Sequence, residues 1–328
     1  MRWVWAAVLA ALGGLCGRAS AAPGDAFSGI GADAAPHFTR VKEGFFEPET
    51  VTVPGSGVEA IARVGGGCAG EYVSADGYVL TASHCVGLPG APKSRFGASH
   101  IIAELPATAT LFGAAPGPDV DGRPSVLVAA GKGWVSPTGY TEDSSDLPSS
   151  PEGLERLRAL ATGDWALLKV AVDGPVACLE ADARPPRAGE PLIAFGFPQR
   201  ATRSGGPSSP GYRMRAVQGL VAADISQSAW LATLDPATRA LKARIYRPAL
   251  AAGDTVLGDH DSIGGMSGGP VLTAAGRLLG VTTAGGEDTD RYRAYSSFGV
   301  SLKKIFDDLR GAGADPARYF ACRPGRAI

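Results

Sequence analysis

Three short segments of this chain hold the residue types that acyl transfer to a hydroxyl needs. Leu80-Thr81-Ala82-Ser83-His84-Cys85 carries a histidine. Gly163-Asp164-Trp165-Ala166-Leu167-Leu168 carries an aspartate. Gly264-Gly265-Met266-Ser267-Gly268-Gly269-Pro270-Val271 carries a serine, and each of the three lies beside an apolar run. A serine hydroxyl is a weak nucleophile until an adjacent base takes its proton. The base in turn needs a carboxylate to hold its tautomer and steady the imidazolium that forms. The developing oxyanion needs backbone N–H donors, and glycines around Ser267 let the chain turn so that the amides of Gly265 and Ser267 point to one spot. Together the segments offer a nucleophile, a base and an orienting acid.

Chain order narrows the fold. Gly265-x-Ser267-x-Gly269 also fits the nucleophile elbow of α/β-hydrolases, which run serine, acid, histidine. All four histidines, His37, His84, His100 and His260, precede Ser267, so that elbow is excluded. Only His84 sits in a motif, and the other three read as structural. Asp119, Asp121, Asp143 and Asp146 lie in turn-rich segments with no apolar strand after them, unlike Asp164. The plainer alternatives are a strand cap for Asp164 and a tight glycine turn for Ser267.

The elements that must position these residues are short. Gly 46 and Pro 25 among 328 residues, without a period, indicate many turns and an all-β fold. Asp76-Gly77 between apolar runs predicts a hairpin just before His84. Trp165–Val172, Leu192–Phe197 and Val271–Thr283 read as strands. Residues 228–243 read as the main internal helix, broken near Pro236, and Leu302–Leu309 as a short terminal helix. Residues 139–153 read as a polar, acidic surface loop, and Glu180–Gly189 as the linker between two halves. The net charge of −1 gives no electrostatic case for nucleic acid or an anionic membrane as partner.

The N-terminus sets the compartment. Met1-Arg2, a 13-residue apolar run from Trp3 to Leu15 and Ala19-Ser20-Ala21 form a signal-peptide pattern, too short to span a bilayer. Cleavage after Ala21 removes Cys16 and leaves four of the 5 cysteines, which in an exported chain reads as two disulfides. The expected organisation is a signal peptide at 1–21, an arm or pro-segment at 22–57, a first half at 58–185 with the histidine and aspartate, a second half at 186–310 with the serine and an insertion at 198–260, and a tail at 311–328. The expected product is a periplasmic or extracellular monomer without stable membrane insertion.

Thr-Ala-Ser-His-Cys and Gly-Met-Ser-Gly-Gly-Pro resemble the histidine and serine motifs of trypsin-like serine proteases of the chymotrypsin fold, over roughly residues 58–309. That resemblance implies two six-stranded antiparallel β-barrels with the site between them, a short C-terminal helix and, here, a partly helical insertion. It implies peptide-bond hydrolysis of a peptide or protein substrate through an acyl-enzyme, without cofactor or metal. His84 would be base, Asp164 orienting acid and Ser267 nucleophile, with Gly265 and Ser267 as oxyanion hole. It pairs Cys68 with Cys85, which leaves Cys178 and Cys322 for the second bridge. It places Asp261, six residues before Ser267, on the floor of the pocket for the side chain before the scissile bond, opposite Thr282, Gly285 and Gly299. An acid there would select Arg or Lys; as a mere turn residue it would leave a small or apolar preference. Animal members carry an aspartate before the serine that pairs with a newly cut N-terminus. Met266 offers no charge, so the oxyanion hole should form without N-terminal insertion.

A narrower resemblance is to bacterial dipeptidyl-peptidases of peptidase family S46. Gly65-Gly66-Gly67-Cys68-Ala69-Gly70-Glu71, Val73-Ser74 and Asp76-Gly77 match the stretch before that family's histidine, and Gly196-Phe197-Pro198 with Arg200 and Arg203 is also similar. The chain departs from it in two places. Residues 198–260 are far shorter than that family's helical insertion, and Ala284 stands where it uses an aspartate near the substrate's amino end. A dipeptidyl-peptidase is therefore the second reading, and a catalytically silent binding protein on the same fold the third.

Overall fold

β1 (Ile61–Val64), β2 (Cys68–Tyr72) and β3 (Tyr78–Thr81) form an antiparallel meander. The turn expected at Asp76-Gly77 needs a glycine: Gly77 has a φ of 90°, and a Cβ there would meet the carbonyl of Val170 at 2.6 Å. The computed structural model describes residues 39–40, 58–65, 67–86, 93–96, 100–104, 115–131, 133–134, 154, 158, 161–198, 213–227, 236–288 and 293–322. The expected signal peptide, most of the arm at 22–57, the acidic loop at 139–153 and parts of the insertion (199–212 and 228–235) lie outside the described residues.

β4 (Ala115–Pro116), β5 (Ser125–Ala130) and β6 (Ala166–Val170) complete the first sheet, in the order β1-β2-β3-β6-β5-β4. Val120, just past β4, bridges back to Val64 of β1, while Gly65 N donates to Asp119 O at 2.7 Å and Asp121 N to Arg63 O at 2.9 Å. Those bonds bring the two edges of the sheet together. Leu80, Leu167, Leu168 and Trp165 are fully buried inside it, each aliphatic side chain worth about 1.5–3 kcal/mol on leaving water.

The second sheet uses β7 (Pro191–Gly196), β8 (Arg215–Leu220), β9 (Thr255–Ser262), β10 (Pro270–Thr273), β11 (Leu278–Asp288) and β12 (Arg293–Ser301). β9 pairs with β12, and the path continues β12-β11-β10-β7-β8. Beyond β8, Val221 bridges Gly258 of β9 and Ala222 N donates to Leu257 O at 2.8 Å, which returns the sheet on itself. Thr39–Arg40 adds a short strand on β12, and Lys93–Phe96, His100–Glu104 and Gly133–Trp134 form a separate small sheet. A six-stranded antiparallel sheet and a second of seven strands, Thr39–Arg40 included, each bridged back towards its own edge, form the chymotrypsin-like architecture that the motifs imply.

One element extends beyond the sequence reading, and another is held more firmly than composition alone implies. The internal helix α1 runs from Pro236 to Ala252, beyond the expected end at 243, while residues 228–235 of the expected helix lie outside the described residues. Pro236 is its first described residue, a position where a missing N–H is tolerated. The helix continues through Pro248, whose lost hydrogen bond is offset by packing of Leu241, Ile245 and Tyr246 with Leu257 and Phe298. The segment read as a linker at 180–189 is held by the second barrel: Leu278 N donates to Glu180 O and Asp182 N to Leu278 O, both at 2.8 Å. Arg184 also spans Asp182 and Glu190. The terminal helix α2 (Leu302–Gly311) begins as expected, with Ser301 accepting Lys304 N at its start. Cys178 and Cys322 are bonded to each other and hold the tail.

Candidate active site

His84 sits on a 3₁₀ turn, Ser83–Cys85, at the end of β3. The strand is fixed just before it by Thr81, whose hydroxyl donates to Ala69 O at 2.7 Å. Just after it, Cys85 is bonded to Cys68 of β2. The histidine is thus anchored on both sides, and its side chain keeps 17% of its surface exposed.

Asp164 stands immediately before β6, where the chain turns inward. Trp165 behind it is fully buried and donates from Nε1 to Asp308 of α2 at 3.0 Å. Gly131 N donates to Trp165 O at 2.8 Å, and a Cβ on Gly131 would meet Gly163 O at 2.2 Å, so only glycine admits this approach. The carboxylate is 3% exposed. Its Oδ2 lies 2.8 Å from His84 Nδ1, and its Oδ1 accepts His84 N at 3.0 Å and Ser83 Oγ at 2.8 Å. Two donors on one oxygen and an imidazole on the other satisfy a buried charge that would otherwise be costly.

Ser267 is carried by the turn between β9 and β10, with Gly265 at φ 99° and Gly268 at φ 80°. A Cβ on Gly268 would meet Ala69 O and Thr81 Oγ1 at 2.2 Å, so that glycine permits the contact between barrels. Ala69 N donates to Ser267 O at 2.8 Å, and Cys85 Sγ lies 3.8 Å from the same oxygen. These contacts bring the serine turn against the histidine turn. Met266 N and Gly268 N are engaged, with Ile263 O at 3.0 Å and Thr282 O at 2.7 Å. The amides of Gly265 and Ser267 donate to nothing among the described residues. Met266 is fully buried in the second core, and Gly196 presses on it: a Cβ there would lie 2.7 Å from Met266 Cα. Phe197 N donates to Gly265 O at 2.9 Å, so the turn is braced by β7 and the residue after it.

The residues expected in the substrate pocket lie on β9, β11 and β12. Thr282 is buried and its backbone bonds Gly268 and Gly269. Gly299 registers with Thr282, and Gly285 with Ser297. A Cβ on Gly285 would meet Ser262 Cβ at 2.7 Å. Asp261 registers with Ser296 across a bulge in β9. His260, read as structural, is 1% exposed, with Nε2 2.6 Å from Ser297 Oγ, and burial lowers its pKa to about 3. It is thus a neutral imidazole held against Ser297 of β12. The histidine's offset of seven from Ser267 was its only sequence cue, and Ser83's only cue was its place before His84. Among the described residues, Cys68, His84 and Cys85 have the spacing of metal ligands, but both sulfurs are in the disulfide and offer no thiolate.

Comparison with known families places this geometry. The model for the trypsin-like peptidase domain matches residues 68–281. The model for peptidase S46 matches residues 47–88, the stretch that ends just past the histidine turn. No curated protein matches. Among solved structures, "Structure of Glu endopeptidase in complex with MPD" aligns with 82% of this chain and 96% of its own at 14% identity and a TM-score of 0.40. The trypsin-like match spans more than half of the chain and takes in the histidine, aspartate and serine turns from both barrels, so this chain belongs to the trypsin-like peptidase family and is a serine-type peptidase.

Proposed function

We propose that the protein is an exported serine endopeptidase whose triad is His84, Asp164 and Ser267. The observation that carries this is the buried Asp164 Oδ2 at 2.8 Å from His84 Nδ1, on a turn that meets the Ser267 turn. Ser267 Oγ attacks the scissile carbonyl carbon while His84 Nε2 takes its proton. The oxyanion is received by the amides of Gly265 and Ser267. His84 returns the proton to the leaving amine, the C–N bond breaks, and an acyl-enzyme on Ser267 remains. A water then attacks that ester, giving its proton to His84, and the acid product leaves as Ser267 is regenerated. No cofactor enters these steps. Asp261, Thr282, Gly285 and Gly299 line the pocket for the side chain before the cut bond. Two disulfides support export to an oxidising compartment, with the signal peptide at 1–21 removed.

A fluorophosphonate probe tests the reading directly. It should label Ser267 in the wild type and leave Ser267→Ala and His84→Ala unlabelled; labelling elsewhere would refute the triad. The match of residues 47–88 to peptidase S46 favours a second reading, a dipeptidyl-peptidase. An N-terminally blocked peptide separates the two, because cleavage inside it requires an endopeptidase.

A further inference from the structure

We infer that Ser83 is a positioning residue for the acid of the triad: its buried hydroxyl locks the rotation of the Asp164 carboxylate. This rests on the triad proposed above. A carboxylate can turn about its last torsion, and only one setting presents Oδ2 to the imidazole. Oδ1 is held at two points, by Ser83 Oγ at 2.8 Å and His84 N at 3.0 Å. Those two donors come from adjacent residues of the same 3₁₀ turn, Ser83–Cys85. The turn that carries the base therefore also grips the acid's far oxygen. Oδ2 is left for His84 Nδ1 at 2.8 Å.

The environment makes the hydroxyl matter. Ser83 is 0% exposed and Asp164 2% exposed, so solvent does not replace a lost donor in the resting site. A buried hydrogen bond to a charged group is worth more than a neutral one, and leaving the charge short of a donor is the costly case. The hydroxyl of Thr283, on β11 next to the serine turn, is engaged elsewhere and donates to Phe298 O at 3.3 Å. Among the described residues the side chain gripping Oδ1 is Ser83 alone.

The rate constant of inactivation by a fluorophosphonate reads this without knowledge of the substrate. Ser83→Ala should slow it about tenfold, with the thermal midpoint little changed, and should shift or broaden the low-field proton resonance of His84 Nδ1. Ser83→Thr, which keeps the hydroxyl, should restore both. On any peptide that is cut, the loss should fall on kcat and leave KM unchanged. Wild-type rate and an unmoved resonance in Ser83→Ala overturn the inference. If Ser83→Ala does not fold, the wild-type hydroxyl proton of Ser83 decides. Held by Asp164 it exchanges slowly with solvent, and fast exchange overturns the inference. Labelling that survives in Ser267→Ala would instead sink the triad itself, so the two failures are distinct.

Discussion

Ala69 N donates to Ser267 O at 2.8 Å. One hydrogen bond thus ties the serine turn of the second barrel to β2 of the first, the strand joined by disulfide to the residue after His84. The relative placement of Ser267 and His84 is set by backbone and a covalent link, not by long side chains.

If His84, Asp164 and Ser267 form the proposed triad, Ser267→Ala should lose roughly 10⁶-fold in turnover, and His84→Ala about as much, because triad members act as a unit. The double variant should be little slower than either single one. Steady-state kinetics on a cleaved peptide checks this; losses that multiplied would mean that the two residues act independently.

Gly196→Ala should damage the oxyanion hole from behind. Its Cβ would lie 2.7 Å from Met266 Cα and 3.0 Å from Gly265 O, pushing the turn out of place. Loss of one oxyanion donor costs about 10²–10³ in kcat, and the variant should approach that with KM little affected. The brace is internal, so one extra residue before the mature N-terminus should leave activity unchanged. Activity abolished by that extension would show that the N-terminus organises the hole.

Glu71 should make stability fall as pH rises. Its side chain is fully buried on β2 and neither carboxylate oxygen has a hydrogen-bond partner among the described residues. Burial raises its pKa well above the ordinary value. The folded state then keeps a proton that the unfolded chain releases near pH 4.3, about the ordinary glutamate value. Stability is full below that pH and is lost as pH climbs toward the folded pKa, by up to ~1.4 kcal/mol per unit. Thermal midpoints of the wild type and Glu71→Gln across pH 4–9 test this. The variant should gain on the wild type as pH rises, and parallel curves would dispose of the idea.

The pocket should be read with blocked peptides varied at the residue before the cut. If Asp261 forms its floor, Arg and Lys are favoured, and Asp261→Ala costs about 2–5 kcal/mol for them and little for apolar residues. Equal cleavage after Arg and Ala by the parent enzyme would remove Asp261 from the pocket and leave the triad intact.

The chemistry of this chain was legible in its sequence because its signals are local. His84 and Ser267 each lie in a short motif whose glycines, threonine and cysteine have direct structural roles. Asp76-Gly77 marked the hairpin through the one residue that accepts its φ of 90°. Their order along the chain excluded a rival fold. The helix was legible in type but not in its far end, because what carries it past residue 243 and through Pro248 is the packing of Ile245 and Tyr246 with Leu257 and Phe298. What the tertiary structure alone decided are contacts between distant residues. Ser83 meets Asp164 across 81 positions and His260 meets Ser297 across 37. The edges of the first sheet close through Val64 and Val120. Local propensity sets which backbone a segment prefers, but which hydroxyl reaches which carboxylate depends on how two barrels pack, and that is settled by burial of side chains from the whole chain.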